Sequence, residues 1–232
     1  MGRIGVRPEA APALVRQLAD LKAVRVQGIY THLACGEDDA AFTAAQLKAF
    51  RQAVAVLSRD GLRPPLVHAA NSAGTLRHPS SRLDMIRPGL AAYGLYTGFD
   101  PVLSLKSKII FLKTVPRGAT VSYGATWRAK RLTRVATLPI GYGDGYCRAL
   151  SNRAEVLVGG RRCPVVGCVS MDQTMVDVTG VPCSRVGDDA VLIGAQGLER
   201  IEAGELARLC GTIPYETATA ISSRVPRVGA AT

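Results

Sequence analysis

Two structural patterns share this chain, and they predict an α/β first part followed by a mostly β second part. Up to about residue 95, short apolar runs alternate with helical patterns. After "YGLYTGFDP" the apolar runs crowd together with turn residues between them. A glycine pair inside an alternating run, "VLVGGRRCPVV", signals a hairpin in that second part. The change of pattern sets a boundary near residue 100, dividing the chain into residues 1–100 and 101–232.

Taken in order, "PEAAPALVRQLADLK" puts Ala11, Leu14, Val15 and Leu18 on one helical face, with a proline near the first turn. A strand is expected in "AVRVQGIYTH". The next helix, "DDAAFTAAQLKAFRQAVAVLSRDG", opens on acidic residues, carries Leu47, Phe50, Val54 and Leu57 at helical spacing and stops at Gly61. "PPLVHAA" and "LDMIRPG" read as short buried strands. Strands are then expected in "SLKSKIIFLKTV", "RVATLPIGY", "AEVLVGGRRCPVVG", "TMVDVTG" and "DDAVLIG", with "IEAGELARLCG" as the one helix among them.

A chain of 232 residues that is 47% apolar can bury a sizeable core. Its net charge of +11 is mostly arginine, since only six lysines occur, Lys22, Lys48, Lys106, Lys108, Lys113 and Lys130. The positives are scattered, aromatics are 5% and Trp127 is the single tryptophan, which argues against nucleic acid as a partner; an anionic small-molecule substrate, or a missing acidic segment that would rebalance the charge, explains it equally well. The six cysteines form no C-x-x-C and stand at no metal-ligand spacing with a histidine, so no metal is expected and the thiols read as reduced and cytosolic. The uncharged stretches are too short and glycine-rich for a membrane helix.

Parallel α/β barrels place their reacting groups where strands end. Here the strand ends deliver Thr31-His32, then His68 to Ser72, then Arg87 to Leu90. A hydroxyl, a side-chain amide and the open backbone at Gly89 make a phosphate cradle, with Arg87 reaching further in. Each residue taken singly has an ordinary structural use. A histidine can serve the core, "NS" can cap a helix, and Arg87 can be an ion-pair partner.

Their order along the chain is more specific. "GIYTHLACGEDD", "PPLVHAANSAGTLRHP", "DMIRPGLAAYGL", "VSYGATW", "LPIGYGDGYCRALSN", "VVGCVSMDQTMVDVTG" and "GTIPYE" with "ISSRVPR" together resemble the alanine racemases from residue 1 to about residue 227. These are pyridoxal 5′-phosphate enzymes with a (β/α)8 TIM-like barrel followed by a β domain. The opening "MGRIGV" resembles a motif internal to that barrel. The resemblance therefore implies the C-terminal half of the barrel, a partial cofactor-binding unit, and then the β domain. It also implies that the lysine forming the Schiff base lies ahead of the motif on which this sequence opens, because none of the six lysines has the family's context.

Carried over by resemblance, Arg3 contacts the cofactor's phenolic oxygen and the substrate carboxylate. His32 and Arg87 form a linked pair in which Arg87 faces the pyridine nitrogen and keeps it unprotonated. Ser72, Gly89, Leu90 and Tyr215 contact the phosphate, with His68 and Asn71 in support. Tyr123 is the second catalytic base, Tyr142 stands at the site entrance, and the backbone of Met171 meets the substrate carboxylate. The implied reaction interconverts L-alanine and D-alanine through a pyridoxal-phosphate aldimine, with one base on each face and the L-alanine α-proton assigned to the tyrosine. A phenol with a pKa near about 10 needs cationic neighbours to act as a base, and the His32 and Arg87 pair is the expected source. The resemblance further implies a cytoplasmic homodimer with shared sites, supplying D-alanine for peptidoglycan. Other readings are a basic amino-acid decarboxylase of similar fold, lacking here its glycine-rich phosphate loop and catalytic cysteine, and a catalytically silent dimerisation module.

Overall fold

The computed structural model describes residues 1–96 and 98–229; residues 230–232, the end of the expected β domain, lie outside the described residues. Contacts divide the chain into two compact units, Met1–Ala92 and Tyr93–Thr232.

In the first unit a proline-initiated turn, Pro8–Ala10, leads into α1 (Ala11–Ala19). Val15 is buried as expected, but Leu14 is not, because the face turned inward is set by Pro12 and Val15. Strand β1 (Gly28–Tyr30) is followed by α2 (Ala40–Arg59), whose N-terminus is capped by the Asp39 carboxylate accepting the Phe42 N–H at 2.8 Å. Thr43, Leu47, Phe50, Ala53 and Leu57 form its buried stripe. The chain then returns as β2 (Leu66–His68), parallel to β1 with Gly28 opposite Leu66, Ile29 opposite Val67 and Tyr30 opposite His68. A helical crossover between parallel strands is what this order requires. Leu33, Leu47, Phe50, Val67 and Ala69 make the small core beneath. Helix α3 (Ser72–Arg77) follows at once.

Two expected strands shrink. "AVRVQGIYTH" is ladder only at β1, where β2 runs beside it, and "LDMIRPG" contributes a single parallel bridge, Met85 to His68. That bridge is fastened from both sides. Asp84 donates its N–H to the Val67 carbonyl at 3.0 Å, its carboxylate accepts the Val67 N–H at 2.8 Å and binds Arg63, and the Arg87 N–H reaches the Ala70 carbonyl at 2.9 Å.

The second unit holds β3 (Leu105–Lys108), β4 (Phe111–Val115), β5 (Thr120–Val121), β6 (Trp127–Arg128), β7 (Thr133–Leu138), β8 (Glu155–Val158), β9 (Arg161–Pro164), β10 (Thr174–Asp177), β11 (Asp189–Gln196) and β12 (Glu199–Ile201). One sheet runs β12-β11-β8-β9 with β3 also on β11, another runs β10-β7-β4, and β5 pairs with β6. The expected single strand "SLKSKIIFLKTV" is two. The Ile109 N–H bonds the Asp188 carbonyl at 2.9 Å while the next N–H, of Ile110, bonds Thr137 at 2.9 Å, so the chain changes sheets between neighbouring residues. The diglycine hairpin is present as β8 and β9, joined at Gly159-Gly160. Inward residues of both large sheets, among them Leu138, Val156, Leu157, Val176 and Leu192, form one core.

Among the described residues of this unit two α-helices accompany the strands, not one among them, and both follow the last strand, β12: α4 (Ala203–Cys210) and α5 (Pro214–Ala220). The second was hidden by its shortness and lack of a buried face. Helix α4 buries Ala203, Leu206 and Ala207. It is tied down by Arg162 on β9, whose guanidinium meets Glu155 on β8, Glu199 on β12 and Glu205 on α4 at 3.1, 3.1 and 2.7 Å. Among the described residues no helix is long and apolar enough to cross a membrane.

Replacing the hub tests that network. Arg162→Leu leaves three carboxylates facing one another and should cost about 1–2 kcal/mol at pH 7 in urea unfolding, more than an isolated surface pair. The cost should shrink as salt is raised, because these partly exposed charges are screened. A salt-independent loss would instead assign the effect to packing of the arginine stem.

Candidate active site

The first unit gathers its polar residues where β1 and β2 end. Arg87 follows the Met85 bridge and folds back over both strands. Its guanidinium donates to the carbonyls of Thr31 and Ala69 at 3.2 and 3.1 Å and to Nδ1 of His68. The Tyr30 ring stacks on the His68 ring with centroids 5.1 Å apart and planes 9° from parallel, and the guanidinium carbon lies 5.2 Å from the Tyr30 centroid. No carboxylate is among these partners.

The expected pair of His32 and Arg87 is corrected here, because the imidazole that bonds Arg87 is His68. The parallel register places Tyr30 opposite His68 and the bridge brings Met85 beside it, so Arg87 lands on the ring of β2. His32 stays within the arginine's field. Burial first, then Arg87, then Arg3, hold its pKa below the usual imidazole value, and burial and Arg87 do the same to His68. An acceptor at Nδ1 fixes His68 as the neutral tautomer with its proton on Nε2. Burial also lowers the pKa of Arg87, which as a guanidinium keeps its charge. Arg3 is exposed.

Ser72 is 1% exposed, and its Oγ accepts the N–H groups of Gly89 and Ala91 at 3.0 and 3.3 Å. Both lone pairs are therefore taken and only the hydroxyl hydrogen is left to be given. Between those two amides, the N–H of Leu90 has no acceptor among the described residues. Asn71 caps α3, its side-chain oxygen accepting the Gly74 N–H at 2.9 Å, which leaves its amide hydrogens available. Two contributors escaped the sequence reading. Gln46 on α2 donates at 2.8 Å to both Thr31 Oγ1 and the His32 carbonyl, and Tyr30 supplies the stacking floor. A glutamine one position before the buried Leu47, and an aromatic residue next to "TH", were the available signals.

The second unit carries Tyr123, Tyr142, Met171 and Tyr215. Tyr123 is 72% exposed on a turn whose flanks are strained, with Ser122 at φ 67°, ψ −178° and Ala125 at φ 48°. Such conformations cost about 1–3 kcal/mol each and need outside support. Ser122 Oγ donates to the Cys168 carbonyl at 2.6 Å, and Asn152 bonds Thr126 Oγ1 at 3.1 Å while accepting the Gly167 N–H at 2.6 Å. Gly167 has to be glycine, since a Cβ there would stand 2.6 Å from that of Ser122.

Tyr142 and Met171 are neighbours. The Tyr142 N–H bonds the Ser170 carbonyl at 3.0 Å, and the Gly143 N–H bonds the Met171 carbonyl at 2.9 Å. With that carbonyl used, the backbone group Met171 can offer an anion is its N–H. Arg224 pins both loops, contacting Asp144 at 3.2 Å and Asp172 at 2.7 Å. Gly145, at φ 101°, lets the turn press against the Ala220 carbonyl, which a Cβ would approach to 2.2 Å. Tyr215 lies on α5, exposed.

Comparison with known proteins gives a consistent result. Residues 1–97 match the family model described as alanine racemase, N-terminal domain, and residues 102–229 match alanine racemase, C-terminal domain. Among curated relatives, alanine racemases of Symbiobacterium thermophilum and Halothermothrix orenii are 48% and 44% identical over 98% of this chain, which spans 63% and 62% of their lengths. Among solved structures, alanine racemase from Streptomyces coelicolor A3(2) superposes with a TM-score of 0.91 at 38% identity, covering 98% of this chain and 63% of that one. The Bacillus anthracis enzyme with bound L-Ala-P gives 0.89 at 39%, covering 98% and 61%.

The His68 and Arg87 contact predicts a titration. Both imidazoles have folded pKa values below the unfolded value of about 6.5, so the unfolded chain takes up protons first and stability should decline as pH falls from about 6.5 through the lower folded values. Imidazole NMR should show His68 still neutral at pH 6.5, with its proton on Nε2, and Arg87→Met should raise its pKa. An unchanged His68 titration in Arg87→Met would mean that the guanidinium does not act on that ring.

Proposed function

Because the chain belongs to the alanine racemase family, we propose that it takes part in the interconversion of L-alanine and D-alanine with pyridoxal 5′-phosphate as cofactor. The observation that carries the proposal is Arg87, a half-buried cation held only by neutral acceptors, two carbonyls and the His68 ring, and so left with its charge for a ligand.

The donor set of the first unit fits that cofactor. Ser72 can give a phosphate oxygen only its hydroxyl hydrogen, and the Leu90 N–H beside it is also a donor without an acceptor among the described residues. Gly89 presents no side chain there, and a Cβ at that position would meet open space, so backbone approach is unobstructed. Asn71 holds the start of α3 in place below them. Pyridoxal phosphate, when bound, supplies the electron sink that acidifies the α-hydrogen of an amino acid.

Arg87 is the residue assigned to the pyridine nitrogen. A guanidinium does not surrender its proton, so it hydrogen-bonds a ring nitrogen without protonating it, and that restrains the sink to reversible proton removal at Cα. His68 keeps the fork in orientation through its neutral Nδ1. His32 and Arg3 stand in the same field, and Arg3, being exposed, is free to meet a carboxylate or a phenolic oxygen.

Tyr123 holds the second proton, at its Oη. Inversion by two bases needs one on each face, and a phenol serves on one of them when cations stabilise its phenolate. The strained turn supports this assignment, since strain maintained by a network of side chains marks a position whose geometry is worth holding. Tyr142 guards the entrance and the Met171 N–H receives the substrate carboxylate, while Tyr215 adds a phosphate contact. The same reading makes the assembly a cytoplasmic homodimer with shared sites, whose D-alanine feeds peptidoglycan.

The test supplies the family's amino-terminal segment, with its lysine, by co-expression. Tyr123→Phe removes one proton-carrying oxygen and leaves the phosphate cradle and Arg87 intact. Cofactor should still bind, and racemisation should fall by about 10²- to 10⁴-fold, the scale for losing a positioned acid or base. Exchange of the L-alanine α-proton into deuterated solvent should collapse, while exchange from D-alanine survives better. Equal loss of both, or of neither, would remove Tyr123 from the role of face-specific base.

A further inference from the structure

Two thiols outside the candidate site stand together in the second unit. Cys147 precedes the turn Arg148–Leu150, which packs against α4, and Cys210 is the last residue of α4. Both line one cavity of about 150 Å³, walled by Leu105, Tyr146, Leu150 and Leu206. Cys147 is the neighbouring side chain that acts most strongly on the Cys210 thiol. Among the described residues no cluster of three metal-ligating side chains includes them. We propose that Cys147 and Cys210 are a reversible disulfide-forming pair, which fastens the end of α4 to the loop that precedes Arg148.

The pair divides the work by exposure. Cys147 is exposed and can be reached from solvent, whereas Cys210 is half-buried. Burial, and then the neighbouring Cys147, push the Cys210 thiol up to about 11, so it waits as the protonated partner. The oxidant class is a low-molecular-weight disulfide. The Cys147 thiolate attacks one of its sulfurs, the S–S bond breaks, and a small thiolate leaves and takes up a proton. Cys210 then loses its proton to solvent and attacks the Cys147 sulfur of the mixed disulfide, expelling the second small thiolate. Two protein thiols are oxidised by two electrons and one small disulfide is reduced to two thiols. Both side chains face one small cavity between a turn and the helix packed against it, and side-chain rotation there has to bring the sulfurs to an S–S bond of about 2.05 Å.

The position of the bond gives it a consequence. Cys147 stands five residues after Tyr142, and Cys210 five residues before Tyr215. Between Cys210 and Tyr215 the chain runs through Gly211, at φ 71°, and Thr212, whose N–H bonds the Ala207 carbonyl at 2.9 Å, before α5 begins. A disulfide therefore ties the loop after Tyr142 to the segment that leads into α5. This chemistry holds whether or not racemisation is the activity of the chain.

The experiment treats the full 232-residue chain with glutathione disulfide and maps its peptides without reduction. The native chain should yield a peptide pair linked through Cys147 and Cys210, reversed by dithiothreitol, and amide exchange over residues 211–215 should slow on oxidation. Cys210→Ser should accumulate glutathione on Cys147, and Cys147→Ser should leave Cys210 unmodified, with exposed Cys183 as the reactivity control in each chain. A stable glutathione cap on Cys147 in the native chain, with no linked pair, would overturn the proposal. A linked pair with unchanged exchange at 211–215 would overturn the fastening.

Discussion

The first unit depends on how one guanidinium is satisfied. Arg87 carries five N–H groups, and the short parallel ladder supplies three acceptors for them from strand ends: carbonyls of Thr31 and Ala69 and the ring of His68. Three residue pairs are a small ladder, and it would slip easily if nothing fixed its register. The Asp84 carboxylate bonded to the Val67 N–H, the Met85 bridge, and Gln46 holding the Thr31 and His32 loop from α2 all fix it. Backbone pairing thereby becomes side-chain placement, and the arginine that completes the ladder also carries the charge of the site.

The second unit solves a different problem, holding exposed tyrosines still on loops. It does so with close backbone approach and paid-for strain rather than burial. Gly145 and Gly167 admit contacts that no other residue could, and Arg224 links two carboxylates from separate loops. The core beneath is ordinary: alternating strands with Val, Leu and Ile turned inward, and one strand pair switching sheets at Ile109 and Ile110. The loops therefore carry the exposed tyrosines Tyr123 and Tyr142 while the sheets supply the rigid frame.

What could be read from the sequence follows the range of the interaction. The diglycine hairpin is local chemistry and was legible, as was α2 with its acidic start and its stripe from Leu47 to Leu57. The change of sheet at Ile109 depends on two partners that lie far away in sequence, Thr137 and Asp188, and "SLKSKIIFLKTV" carries no mark of it. The site shows the same limit. Ser72 and Arg87 could be picked out by chemistry and motif, but the choice between His32 and His68 as the arginine's partner is set by strand register, which neither motif encodes. Helix α5 was missed because a seven-residue helix without a buried face leaves no periodic signal.

The charge of the chain acquires a sharper meaning from this. Arg16, Arg63, Arg162 and Arg224 are matched to carboxylates, and their charge is spent within the fold. Arg134 and Arg227 bind backbone carbonyls. Arg87, the seventh, combines neutral partners with a half-buried setting beside two imidazoles whose pKa values are held down. A net charge of +11 invites a reading in terms of a large polyanion, but the count matters less than the placement. One cation, half-buried and held by the neutral groups that the register of a three-residue ladder brings together, says more than the scattered remainder.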